Sequence, residues 1–99
     1  MVQPEKPPAS TESYELGRLL ARARKLRDLT QREVGKRVGR PQSYLGKIET
    51  GRRDVTVPEF LQLTRAIGVD PRKVFSRFMK ELAKKEEASS TSNTQTNEQ

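Results

Sequence analysis

Apolar residues from Leu16 to Leu82 recur at steps of three and four, the spacing that gathers side chains on one face of an α-helix. Leu16, Leu19, Leu20, Ala23 and Leu26 predict a first helix from about Tyr14 to Arg27 with a single apolar stripe, its other faces carrying Arg18, Arg22, Arg24, Lys25 and Arg27. Thr30 followed by Glu33 is a capping box, in which hydroxyl and carboxylate satisfy orphan amides, so a second helix is expected from Gln31 to about Val38. Gly39 is free to adopt positive φ and stops it. A third helix follows from Gln42 to about Thr50 and ends at Gly51. Thr56 and Glu59 form a second capping box around Pro58, opening a fourth helix with Phe60, Leu61, Thr64 and Ile67 inward and Gly68 at its close. Asp70 as N-cap and Pro71 in the first helical position begin a fifth, expected to reach about Lys85, in which Val74, Phe75, Phe78, Met79 and Leu82 make a wide stripe. No segment alternates with period two between turns, so no strand is expected. The predicted class is all-α, a compact five-helix domain.

Composition sets the scale of that domain. With 99 residues, 31% hydrophobic and 33% charged, the chain has material for one small core. Residues 1–12 are Pro-rich and polar, and residues 87–99 form a Ser/Thr/Asn/Gln tract, so both ends are expected to be disordered tails around a domain spanning 13–86. The formal charge of +7 is not spread evenly. Tyr14 to Val55 carries 12 Lys and Arg against 5 acids, a basic field suited to a polyanion whose counterions are released on binding. The same field also serves as a solubilising surface, and charge alone does not separate the two. There is no cysteine and no histidine, which removes disulfides, thiol nucleophiles, imidazole bases and nearly every zinc or copper site, so no metal and no cofactor is expected. Met1 to Ser10 has no apolar run, and no stretch of eighteen apolar residues exists to span a membrane. The expected location is the cytoplasm, beside the nucleoid.

The middle of the chain gives these helices a purpose. Val34 and Val38 on the second helix and Leu45 and Ile48 on the third are placed to meet where two helices cross, with Gly39 at the turn and Gly35 allowing close backbone approach. Further marks coincide: Leu29-Thr30-Gln31, Gln42-Ser43-Tyr44-Leu45, Ile48-Glu49 before Gly51, and Ala66-Ile67-Gly68-Val69. On these residues the chain, from about Tyr14 to Phe78, resembles the lambda-repressor-like (Cro-type, XRE) helix-turn-helix family, all-α five-helix domains that mostly act as DNA-binding transcriptional regulators. It departs from the family pattern at Gly35, where alanine is usual, at Pro41, where a hydroxyl N-cap is usual, and at Gly46 inside the third helix.

The resemblance implies that the third helix enters the major groove while the second crosses above the phosphates. Gln42 then stands at the exposed start of the reading helix, where its amide can bond adenine N6 and N7 together. Ser43 is a base or phosphate contact or else a spectator, and Lys47 donates to guanine or to phosphate. Tyr44 divides evenly between packing at the core edge and a phosphate or thymine-methyl contact. Gln31, at the start of the second helix, is placed for a phosphate oxygen, as are Arg40 in the turn and Arg52 and Arg53 after the third helix. Glu49 has the wrong charge for a DNA face. In this family an acid at that position pairs with an arginine of the first helix, which implies an Arg24–Glu49 ion pair.

Such domains usually bind as twofold dimers on half-sites about 34 Å apart. The fifth-helix stripe of Val74, Phe75, Phe78, Met79 and Leu82 is the candidate dimer surface, the alternative being that it only closes the monomer core. The expected function is sequence-specific double-stranded DNA binding as a transcriptional regulator, of the repressor kind. Its rival is a protein-interaction module on the same fold, an antitoxin, coactivator or adaptor with a partner docked on the fifth helix. DNA is favoured because Gln31, Gln42, Lys47 and the loop arginines fall on contact positions together. No acid pair lies near a glycine-rich phosphate loop, so no enzyme is expected, and no small-molecule ligand is evident. RNA is disfavoured because only Tyr14 and Tyr44 are available for stacking.

Overall fold

The computed structural model describes residues 10–89, with side chains to Glu86. Ser10 accepts the Ser13 amide at 2.9 Å and thereby starts α1 at Thr11 (Thr11–Leu26), earlier than the apolar stripe gave. Thr11 and Glu12, expected in a disordered tail, are therefore the first turn of a helix. At its other end Asp28 takes φ 56, a left-handed geometry that aspartate tolerates better than most residues, and the Leu29 amide returns to the Arg24 carbonyl at 3.1 Å. Helix α2 (Gln31–Val38) carries the expected capping box: the Glu33 amide donates to the Thr30 hydroxyl at 3.0 Å and the Thr30 amide to the Glu33 carboxylate at 2.8 Å. Gly39, at φ 72, ends it. Helix α3 is Gln42–Glu49, α4 is Val57–Ile67 with the Thr56/Glu59 box, and α5 is Pro71–Ser89. The Arg72 amide donates to Asp70 at 2.8 Å, the capping role expected of that aspartate. Residues 87–89, assigned to the C-terminal tail, continue α5, while residues 1–9 and 90–99 of the two tails lie outside the described residues. Among the described residues there is no strand.

Leu20, Leu45, Ile48, Leu63 and Val34 are fully buried, each stabilising the fold by roughly 1.5–3 kcal/mol through removal of its side chain from water. They join α1, α2, α3 and α4 in one core, and α5 lies back across α1 and α4. Close approach of α1 to α3 depends on Gly17, where an added Cβ would sit 2.0 Å from the Ile48 carbonyl oxygen. Gly35 does the same service in the turn, where a Cβ would come 2.7 Å from the Arg40 carbonyl oxygen.

Two apolar expectations need correcting. Leu26 is 73% exposed, because it stands two positions past Arg24 and so points away from the face that Leu20 and Arg24 share at a spacing of four. The fifth-helix stripe is also not open along its length. Phe78 is buried inside the monomer, Val74 and Leu82 are half-buried, and only Phe75 (50%) and Met79 (51%) stay open. Phe75 leans on Phe60 and Phe78, with ring centroids 6.3 and 5.9 Å away, so even it is partly engaged at home.

Candidate nucleic-acid interface

The α2–turn–α3 unit is fixed before any ligand is considered. The Arg40 amide donates to the Gly35 carbonyl at 2.8 Å and the Tyr44 amide to the Pro41 carbonyl at 3.0 Å, so the turn and the first turn of α3 are hydrogen-bonded through. Pro41 is the N-cap of α3 and makes no side-chain cap bond. Leu45 and Ile48 pull one face of α3 into the core, which leaves Gln42, Ser43 and Lys47 exposed.

Beneath that face runs a chain of polar contacts. Arg24 is buried, and its guanidinium forks onto Glu49, Nε to Oε2 at 2.7 Å and Nη2 to Oε1 at 2.9 Å, while Nη1 donates to the Leu29 carbonyl at 2.7 Å. The bonds to Glu49 raise the Arg24 pKa further above its ordinary value, so the charge stays. Two parallel N–H···O bonds with ionised partners are among the stronger and more directional of polar contacts. Gln31 donates from Nε2 to the same Glu49 Oε1 at 2.9 Å, and its own Oε1 accepts from Gln42 Nε2 at 3.3 Å. Polarity propagates along this chain. An ionised carboxylate only accepts, so Gln31 must turn its NH2 inward and its carbonyl toward Gln42. Gln42 in turn presents one N–H to Gln31, and its carbonyl and second N–H remain unengaged.

Of the remaining candidates, Ser43, Lys47, Arg40 and Arg52 are exposed, although Arg52 is not without a partner. Tyr44 is only 6% exposed, so of its two readings the packed one is what the geometry gives. Its ring is approached by the Arg40 guanidinium at 4.6 Å and the Arg53 guanidinium at 4.8 Å, within cation–π range. Burial, and then the charge of Glu59, raise the Tyr44 pKa above its ordinary value and keep the phenol neutral. Arg53 grips Glu59 with both Nη atoms, at 3.0 and 2.9 Å, and Arg40 Nη2 stands 3.8 Å from the same carboxylate. Those arginine bonds, followed by the Thr56 amide, hold Glu59 down at about 2 against the ordinary 4.5. Sequence reasoning found Glu59 only as a cap. Its second role depends on α4 meeting the loop after α3, which no local spacing encodes.

Among the described residues no group of acids could hold a metal ion, and no helix is long and apolar enough to cross a membrane. The family described as "Helix-turn-helix domain" matches residues 15–74, which include the whole α2–α3 unit. An uncharacterized HTH-type transcriptional regulator of Sinorhizobium fredii is 44% identical over 54 residues, covering 54% of this chain and 70% of the relative. An XRE-family like protein from Pseudomonas syringae pv. tomato superposes with a TM-score of 0.65 at 37% identity, over 71% of this chain and 85% of that one. The restriction-modification controller protein C.AhdI from Aeromonas hydrophila superposes with a TM-score of 0.62 at 28% identity, over 66% of this chain and 98% of the other. With a helix-turn-helix unit whose third helix is mounted on a buried ion pair, and these likenesses around it, the chain belongs to the lambda-repressor-like (XRE) helix-turn-helix family of DNA-binding transcriptional regulators.

Proposed function

We propose that the protein reads a specific duplex sequence through the major groove with α3 and acts there as a transcriptional repressor. The observation that carries this reading is the polar chain from Arg24 through Glu49 and Gln31 to Gln42. It leaves Gln42 with one acceptor and one donor directed outward, the pair that adenine N6 and N7 require. Ser43 and Lys47 flank it on the same exposed face. Arg40, Arg52 and Arg53 supply basic charge beside the groove, and the N-terminal end of α2 suits a phosphate, whereas the Gln31 side chain, expected from the sequence to meet one, is committed to Glu49 and Gln42. A regulatory outcome is supported by the relatives, one named a transcriptional regulator and one a restriction-modification controller.

A single domain contacts few base pairs, so the functional unit in this reading is a twofold dimer on half-sites about 34 Å apart. Phe75 and Met79, with the exposed Val57 on α4, are the open apolar residues this reading assigns to it, and Val74, Phe78 and Leu82 act as their backing. The same open residues favour the rival, a protein partner docked on α5.

Selection of bound fragments from a random DNA pool tests the proposal, because it reports both the sequence and the half-site spacing. Replacement of Gln42 by Ala is expected to cost about 1–3 kcal/mol at one base position per half-site. Affinity for random duplex is expected to fall steeply with salt. Binding indifferent to salt, with no sequence enriched, would transfer the function to the protein-docking alternative.

A further inference from the structure

The two arginines that approach Tyr44 are equal in the sequence and unequal in their engagements. Arg53 is committed within the protein: Nη1 and Nη2 hold the two oxygens of Glu59, and Nη1 also donates to the Asp54 carbonyl at 2.9 Å. Arg40 also sits against the ring, its Cζ 4.6 Å from the centroid, yet its nearest Glu59 oxygen, at 3.8 Å, is beyond hydrogen-bonding distance, and its side chain is 46% exposed. Its backbone is pinned to Gly35. Two guanidinium charges thus share one carboxylate, whose Oε1 also accepts the Thr56 amide at 2.9 Å. The surplus positive charge, with its N–H donors, belongs to Arg40 at the edge of the reading face.

We propose that Arg40 alone of this pair grips a DNA phosphate, and that Arg53 is a positioning residue which occupies Glu59 so that Glu59 does not capture Arg40. The ring of Tyr44 gives both guanidinium groups a surface to pack on, at 4.6 and 4.8 Å from its centroid, so Arg40 is held beside Glu59 without being bonded to it. A bidentate arginine–carboxylate pair is the preferred state of either arginine beside Glu59, so removal of Arg53 hands the carboxylate to Arg40. Glu59 remains ionised through the whole physiological range, so the competition does not lapse. This inference rests on the DNA-binding reading above and refines how its backbone contacts are made.

The slope of log affinity against log salt counts phosphates neutralised, at about 0.9 per phosphate on duplex DNA, and so separates contact from positioning. Arg40→Gln is expected to lower the slope by about 0.9 per protomer. Arg53→Gln lowers it by the same amount, because Arg40 is captured. The double variant Arg53→Gln/Glu59→Gln restores the slope of the parent, since an amide does not capture a guanidinium in a bidentate ion pair. Glutamine at position 59 also preserves the capping box, and a far-UV melt of each variant verifies the fold. Arg53→Gln with an unchanged slope, or a double variant that stays as low as Arg53→Gln, overturns the proposal, the latter by making Arg53 a phosphate contact itself. A parent protein with no salt-dependent binding at all sinks the DNA reading instead, so the two failures are told apart.

Discussion

Two glutamates are buried to nearly the same depth, Glu49 where α1 meets α3 and Glu15 where α1 meets α5, and the molecule holds them in unlike ways. Glu49 is forked by a buried arginine and also accepts from Gln31, so both its distance and its angle are fixed. Glu15 meets Lys85, whose side chain is half exposed. The Nζ comes within 2.9 Å of Oε2 but off the line of a hydrogen bond, and Arg18 adds only a 3.9 Å approach to Oε1. A planar guanidinium specifies orientation, whereas an ammonium on a flexible stem supplies charge without a preferred angle. Hence α3 is mounted and the distal part of α5 is tethered. A helix that must aim side chains at base edges needs the first arrangement, and a helix that only presents an apolar face can tolerate the second.

The comparison breaks most visibly at Glu49. Glu49→Ala leaves the Arg24 charge buried without its partner, an arrangement that typically costs about 3–5 kcal/mol. Chemical denaturation is expected to show that loss. DNA affinity should fall with it at temperatures where the variant is still folded, because Gln31 loses the acceptor that sets its polarity. A variant that unfolds like its parent while DNA binding drops would assign Glu49 to the ligand instead of the scaffold.

Glu59 gives the comparison a pH axis. Its pKa is about 2 in the native state against an ordinary 4.5, so the folded form favours the ionised carboxylate. With the native value depressed, the unfolded chain binds the extra proton as the medium acidifies. This contribution is therefore complete above about pH 4.5 and is lost as pH falls toward 2. A series of denaturant midpoints across that window is expected to decline for the parent and to decline less for Glu59→Gln. Parallel curves would mean that the arginine contacts of Glu59 are not maintained in solution.

At the tethered end the expected effects are smaller. Lys85→Met leaves Glu15 with only the 3.9 Å approach of Arg18, but the half-exposed lysine was already shared with water, and the cost is expected to be about 1 kcal/mol and to shrink with added salt. Adding Glu15→Gln removes the orphaned charge and should recover most of the loss. If Lys85→Met costs as much as Glu49→Ala, the distinction between mount and tether fails.

The sequence displayed the elements of this design more fully than the joints between them. The capping boxes at Thr30/Glu33 and Thr56/Glu59, the left-handed Gly39 and the Asp70-Pro71 start were legible because each is a contact between residues at most three apart. The exposed positions of Gln42, Ser43 and Lys47 followed from period and turn. Glu15 was not legible, since its burial comes from α5 folding back over α1, seventy residues further along the chain at Lys85. Gly17 was missed for the same reason: its need for space arises from Ile48 on another helix. Ser10, a short-range cap, was the exception that spacing could have found, and it was hidden by its place beside a proline-rich tail.

The finest test of the mount is Gly46, a glycine in the interior of the reading helix. Glycine there disfavours helix by about 1 kcal/mol relative to alanine. The site does not need it. A Cβ at position 46 meets nothing nearer than Gln31 Oε1 at 4.0 Å, an ordinary contact, so no backbone has to move. Gly46→Ala is therefore expected to raise stability by up to about 1 kcal/mol, seen as a higher denaturant midpoint with an unchanged slope. If the pose of α3 is set by Glu49 and the core, and not by the stiffness of the helix itself, DNA affinity should stay within about twofold of the parent, well under the tenfold that 1.4 kcal/mol represents. A large gain in affinity would mean that α3 bends freely in the unbound protein and that the ion pair does not hold it. A large loss would mean that the groove wall, or the Gln31 carbonyl that orients Gln42, requires the space which the missing side chain leaves.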